Sequence, residues 1–298
     1  MYIPQHSDFI IHWTGIDIEK RLDKKYGKNP KDKDVKENKK KERNDQYIKR
    51  LRSILKWGLW MNKDRKDRFI KTYKKISKNN YKTLKIGRPW LARTCFTELK
   101  LSMAQDHANE FGKLGIGFKR PFLFDRLGSP VMYYHPSQRN WFFPTYMGKR
   151  FFDKNTDFFS CFYKEMCPKK SKTRKFWEYL YYDESEWRII FSEELKQKLE
   201  TLKRNDVSEK FIKTEDERKK DAELNKYLNE IGRSPEFLIP LDGWLSMIIY
   251  PNLYIKQKAQ EEGCEIRKLI KKAKDEGDMG KEKENFPVEL DIAACRNF

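Results

Sequence analysis

The sequence predicts an α+β fold, on three observations. Short runs of β-branched and aromatic residues end at Gly or Pro, apolar residues at helical spacing lie between the early runs, and tracts of dense charge separate them. At 298 residues the chain is long enough to bury a real core without covalent staples. The expected layout is one domain over residues 1–298, with charged insertions at about 16–46 and 192–232 and a polar tail over 277–298.

Taken in order, Phe9-Ile10-Ile11-His12-Trp13-Thr14 reads as a strand stopped by Gly15. Strict alternation puts Ile10, His12 and Thr14 on one face, so His12 either lines a site with Thr14 or is a core histidine satisfied by the main chain. The Lys- and Asp-rich tract from Ile16 to Asp45 has few large apolar residues and reads as an inserted charged helix or a flexible loop. Tyr47, Ile48, Leu51, Ile54 and Leu55 then recur at helical spacing before Gly58, an amphipathic helix with a glycine stop.

Between Asn62 and Lys85, Lys and Arg interleave with Phe69, Tyr73 and Tyr81, a mixture that can grip phosphates and stack bases or show the basic side of a surface helix to water. Arg93 to Glu98 is a strand, Ser102 to Phe111 a helix that Ser102 can cap, with His107 near its end. Ile116 to Lys119 and Val131 to Tyr134 are further strands, and the glycines at 112, 115 and 117 lack the spacing of a dinucleotide fingerprint. An aromatic-dense region follows, closed by the basic run Lys169-Lys170-Ser171-Lys172-Thr173-Arg174-Lys175. Tyr181 to Phe191 is an acidic turn running into a strand. Ser192 to Leu228 reads as charged helix on the outside, Phe237–Leu241 and Ser246–Tyr250 as strands, and Ala259–Glu276 as a helix.

Charge narrows the partners. Against 45 Asp+Glu stand 65 Lys+Arg, a formal +20, so a polyanion such as nucleic acid is the first partner to expect and a membrane surface the second. No apolar run nears the roughly 20 residues that span a bilayer, and no basic-then-apolar leader opens the chain, so a cytoplasmic location without membrane insertion is expected. Five scattered cysteines without a Cys-x-x-Cys pair indicate reduced thiols, and four histidines without zinc spacing indicate no metal site.

The chemistry-bearing stretch is Glu184-Ser185-Glu186-Trp187-Arg188. Alternation sends Glu184 and Glu186 to one side, where two carboxylates raise each other's pKa unless a cation or ligand intervenes. Arg188 is one such cation. The same residues also suit a solvated turn ahead of a core strand.

Read together, His12-Trp13-Thr14, the helix ending Ile54-Leu55-Lys56-Trp57-Gly58-Leu59, Cys95-Phe96-Thr97-Glu98, His107, Gly115-Ile116-Gly117-Phe118, Val131-Met132-Tyr133 and Glu184-Ser185-Glu186-Trp187-Arg188 resemble the AbiGi-type abortive phage resistance family. The order is also similar to the ADP-ribosyltransferase fold of the DarT group. That resemblance implies a split mixed or antiparallel sheet flanked by helices, NAD as cofactor, and Glu186, Glu184 and His12 as catalytic residues. Glu186 would steady the positive charge developing on the ribose as the nicotinamide bond breaks, and Glu184 would act as base. NAD would be held by His12, Trp13, Thr14, Arg93, Thr94, Phe96, Thr97 and Arg188.

Nucleic acid would be held by Lys119, Arg120, Lys169, Lys170, Lys172, Arg174 and Lys175. The expected function is a toxin that ADP-ribosylates single-stranded nucleic acid, RNA before DNA, in antiphage abortive infection, with a neutralising protein partner. AbiGi-type proteins are also labelled antitoxins. The resemblance therefore also implies, as the alternative, a non-catalytic protein binding nucleic acid or a toxin, and the Glu-x-Glu turn implies a third role, ADP-ribosylation of protein.

Overall fold

The computed structural model describes residues 9–63, 69–77, 80–87, 89–98, 101–134, 157–165, 185–275 and 287–297. It is a mixed α+β structure built on one large sheet. The early strands are β1 (Phe9–Thr14), β2 (Leu59–Lys63), β5 (Ala92–Glu98) and β6 (Leu114–Lys119), with β3 (Phe69–Ser77) and β4 (Asn80–Gly87) forming a separate two-stranded ribbon. β7 (Ser129–Pro130), β10 (Glu186–Phe191), β11 (Ile212–Lys213), β12 (Phe237–Ile239), β13 (Leu245–Tyr250) and β14 (Val288–Asp291) complete the large sheet, and β8 (Met132–Tyr134) pairs with β9 (Tyr163–Glu165).

The strand order is β11-β12-β2-β5-β1-β6-β13-β14, antiparallel except for the parallel pair β13–β14. β10 lies along one edge of β5 from Ala92 to Thr97. The opposite edge of β5 is shared: β2 pairs at Ala92 and Arg93, β1 at Thr97 and Glu98. The sheet therefore forks at the middle of β5. Side chains close the fork, with Thr94 Oγ1 donating to the Trp60 carbonyl at 2.8 Å and His12 Nδ1 hydrogen-bonded to the Cys95 carbonyl at 2.9 Å.

One face of the sheet carries the larger core. Ile10, Phe96, Ile116, Phe118, Ile189 and Ile248 pack there against α1 (Ile16–Tyr26) and α2 (Lys33–Trp57). The other face carries Ile11, Trp13, Met247 and Ile249 under α3 (Ala104–Phe111), and the short α4 (Pro121–Phe124) follows β6. α3 has no side-chain cap; Ser102 lies in a 3-10 turn ahead of it.

Of the two forms expected for the tract 16–46, a charged helix or a flexible loop, the helix is found: the tract forms α1 and the first part of α2, and Ile18 and Leu22 within it are buried. Lys39, inside the Lys39-Lys40-Lys41 run, is buried because its ammonium ends α1, donating to the carbonyls of Gly27 (2.6 Å) and Lys28 (3.1 Å) and to Asp23 (2.8 Å). Gly15 (φ 105°) lets the chain turn from β1 into α1 beneath the Tyr47 ring, where a Cβ would lie 2.3 Å from Cε1.

Residues 192–232 are not one outer helix. They break into α5 (Glu193–Thr201), α6 (Asn205–Ser208), β11, α7 (Thr214–Lys220) and α8 (Ala222–Glu230), and bury Leu199, Val207, Leu224 and Leu228. Ser192 and Asp221 cap α5 and α8, turning charge density into helix ends. The expected helix over 259–276 is two, α9 (Leu253–Gln260) and α10 (Glu265–Asp275), parted at Gly263 (φ 76°). Within the range expected as a polar tail, Val288–Asp291 docks as β14 on Met247–Tyr250. Among the described residues between 62 and 85, the chain forms the end of β2 and the ribbon, where a surface helix was one expectation. Among the described residues no helix is long and apolar enough to cross a membrane.

Candidate functional site

The best-formed polar cluster surrounds Glu186, the first residue of β10. Register sets it opposite Thr97, which is itself opposite Ile11, so Glu186, Thr97 and Ile11 share a face. Arg188, two residues on and opposite Cys95, is on the same face. Glu186 is 7% exposed, and both its oxygens are used: Arg188 Nε donates to Oε1 at 2.8 Å and Lys164 Nζ to Oε2 at 2.7 Å. Arg188 Nη1 also donates to the Cys161 carbonyl at 2.5 Å.

The Glu186 carboxyl thus fastens β9 and the 3-10 turn Asp157–Phe162 to the sheet. Burial would raise its pKa, but the two cations and their hydrogen bonds win and hold it at about 2. Burial, reinforced by the Glu186 charge, pushes the neighbouring Cys95 thiol up to about 11, so it stays protonated. Thr97 Oγ1 is buried with no hydrogen-bond partner.

His12 lies on the opposite face. It follows Ile11 in β1, so it points away from Glu186, towards Phe96, whose ring centroid is 5.7 Å from the imidazole. Burial, with Arg50 nearby, lowers its pKa to about 4 despite the bond to Cys95. Thr14, on the same face, accepts from Arg50 Nη1 at 2.9 Å. Arg50 is buried, pairs with Asp17 at 2.9 Å and sits 4.4 Å over the Trp60 ring.

The residues expected to hold NAD are therefore divided by the sheet. His12, Thr14, Thr94 and Phe96 are on one face; Trp13, Arg93, Thr97 and Arg188 are on the other with Glu186. Phe96 is core, packed edge-on against Phe118 and Phe122, and Trp13 stacks on His107 at 6.4 Å. The sheet thus separates His12 from Glu186, because alternation along a single strand does not reveal which face of a neighbouring strand it shares.

Of the residues expected to hold nucleic acid, Arg120 is engaged by Glu98 at 2.7 Å and Lys119 ends β6 opposite Phe9. Glu184 and Lys169, Lys170, Lys172, Arg174 and Lys175 lie outside the described residues. Lys164, Cys95 and Arg50 were not legible as site residues. Only the spacing of Arg50 within the amphipathic helix hinted that a cation would face the core.

A forked α+β sheet carrying a buried, doubly paired carboxylate defines the class. Residues 67–232 match the family described as "Putative abortive phage resistance protein AbiGi, antitoxin". The match covers more than half of the chain, and the chain belongs to that family. It takes in the ribbon, β5 and β10, and leaves β1 with His12 outside. No curated protein and no solved structure matches the chain.

Proposed function

We propose that the protein is an antitoxin in abortive phage resistance, a basic binding protein that neutralises a partner toxin without consuming NAD. The observation that carries this is the state of Glu186, whose two oxygens are both engaged by Arg188 and Lys164. Its negative charge, which would have to steady a positive ribose, is already offset by these two cations of the chain itself. His12 is on the far face and cannot assist it.

The formal charge of +20 suits capture of an acidic toxin surface, with association weakening as salt rises. Co-expression with a partner toxin is expected to restore growth, and purified protein is expected to release no nicotinamide from NAD.

A second reading, an NAD-dependent ADP-ribosyltransferase toxin, draws support from the fork in β5, because a split sheet is what the resemblance to that fold implies. The working face would then be that of Glu186 alone. Labelled NAD mixed with RNA, single-stranded DNA and lysate protein separates the readings. Label on nucleic acid that disappears with Glu186→Gln selects the transferase and rejects the antitoxin; label on protein selects protein ADP-ribosylation.

A further inference from the structure

The ribbon β3–β4 shares no strand pairing with the large sheet, and β3 approaches β9. Residues 69–87 contain lysines at 71, 74, 75, 78, 82 and 85 and no Asp or Glu. Register sets Lys71 opposite Lys85 and Lys74 opposite Lys82. Like charges directly opposed across an antiparallel pair cost stability, and no carboxylate within the ribbon offsets them.

Pairing parity distributes the residues. Lys71, Lys85, Tyr73, Thr83, Lys75 and Tyr81 occupy one face, and Lys74 and Lys82 occupy the other with Ile70, Ile86, Thr72 and Leu84. Opposed lysine pairs therefore occur on both faces. A polyanion that presents charge on two sides of a narrow ribbon would neutralise both sets.

We propose that the ribbon Phe69–Gly87 is a nucleic-acid-binding arm that lies in the groove of a duplex, its lysine positions answering the phosphates of both walls. Two antiparallel strands are about 4.8 Å apart, so with side chains the ribbon fits a major groove about 12 Å wide. Nine residues of β3 at about 3.4 Å each extend roughly 30 Å, close to one turn of B-DNA. The hydroxyl positions Thr72, Tyr73, Tyr81 and Thr83 add hydrogen-bonding groups between the lysines. Phosphate contacts of this kind fix position without reading sequence, so weak sequence preference is expected. The inference does not rest on the antitoxin reading, because a toxin-binding surface and a duplex-binding arm are separate.

The test uses the full chain and a fluorescent DNA duplex of about 20 base pairs, titrated from roughly 50 to 200 mM salt. For Lys71→Gln with Lys85→Gln, the slope of log affinity against log salt is expected to fall by about 2, and for the quadruple variant adding Lys74→Gln and Lys82→Gln by about 4, equally on unrelated sequences. The four Lys→Arg changes should restore the slope. Circular dichroism and melting of each variant should match or exceed the parent, since like-charge pairs are removed. A folded quadruple variant with unchanged affinity and slope overturns the proposal. So does tighter binding of a single strand than of the duplex, or displacement of the duplex by polyglutamate at equal charge, which would assign the ribbon to an acidic protein.

Discussion

On one face of β1 and β5, His12 is kept neutral against an aromatic core and a main-chain carbonyl; on the other face of β5, Glu186 is kept charged between Arg188 and Lys164. The two groups lie within a few strands of each other, and both have pKa values pulled down, to about 4 and about 2. The causes are opposite. For His12 burial penalises the charged form; for Glu186 the charged form is favoured by cations strongly enough to overcome burial. A depressed pKa therefore marks a group built into the core on one side and an electrostatic clasp on the other.

Removing the clasp should have the largest effect. Glu186→Gln leaves Arg188 buried and uncompensated and is expected to cost about 3–5 kcal/mol in urea unfolding; a loss below about 1 kcal/mol would mean that the pair is incidental. A smaller loss, about 1.5–3 kcal/mol, is expected for Arg50→Ala, which removes the nearest partner of Asp17 at the junction of β1 and α1 but leaves Arg233 at 3.7 Å and Arg21 at 3.9 Å, and a double variant of these separated sites should be additive.

The pH dependence separates the two faces directly. Glu186 has a folded pKa below its unfolded one, so its stability, about 3 kcal/mol, is present above pH ~4.5 and lost as pH falls towards ~2. His12 is also depressed. The unfolded chain binds its proton first, and at most about 3 kcal/mol is lost earlier, as pH falls from ~6.5 to ~4. His12→Gln should flatten only the upper window and Glu186→Gln only the lower, read by chemical denaturation at stepped pH. Loss of both windows in one variant would show that the faces are coupled through β5.

The smallest effect tests the unpartnered hydroxyl beside the clasp. Thr97→Val is expected to leave stability unchanged or raise it by up to about 1 kcal/mol, because a buried group without a hydrogen bond is removed at nearly constant shape. A clear destabilisation would indicate that Oγ1 is hydrogen-bonded in solution.

Several strands were legible from alternation and turn residues alone, among them Phe9–Thr14, which coincides with β1, and Arg93–Glu98 within β5. The charged tracts misled, because composition measures how much a segment can bury on its own and not what a neighbour provides. Ile18 and Leu22 are too few to make a core, yet they suffice once α2 and the sheet supply the remaining surface. The ribbon illustrates the converse: residues 69–77 alternate as a strand, but their lysines drew attention to a helical basic face.

By itself, the sequence determined the α+β class, the excess positive charge and the glycine stop at Gly58, and offered Arg188 as one candidate counter-charge for Glu186. These depend on local geometry, with a period of two or 3.6, or on summed charge. Only the tertiary structure decided that β1 and β2 divide one edge of β5, that His12 and Glu186 face away from each other, and that Lys164 completes the clasp. Strand order and register are long-range choices, set by which apolar faces cover one another, and a one-residue change of register would have moved every one of these side chains to the other face.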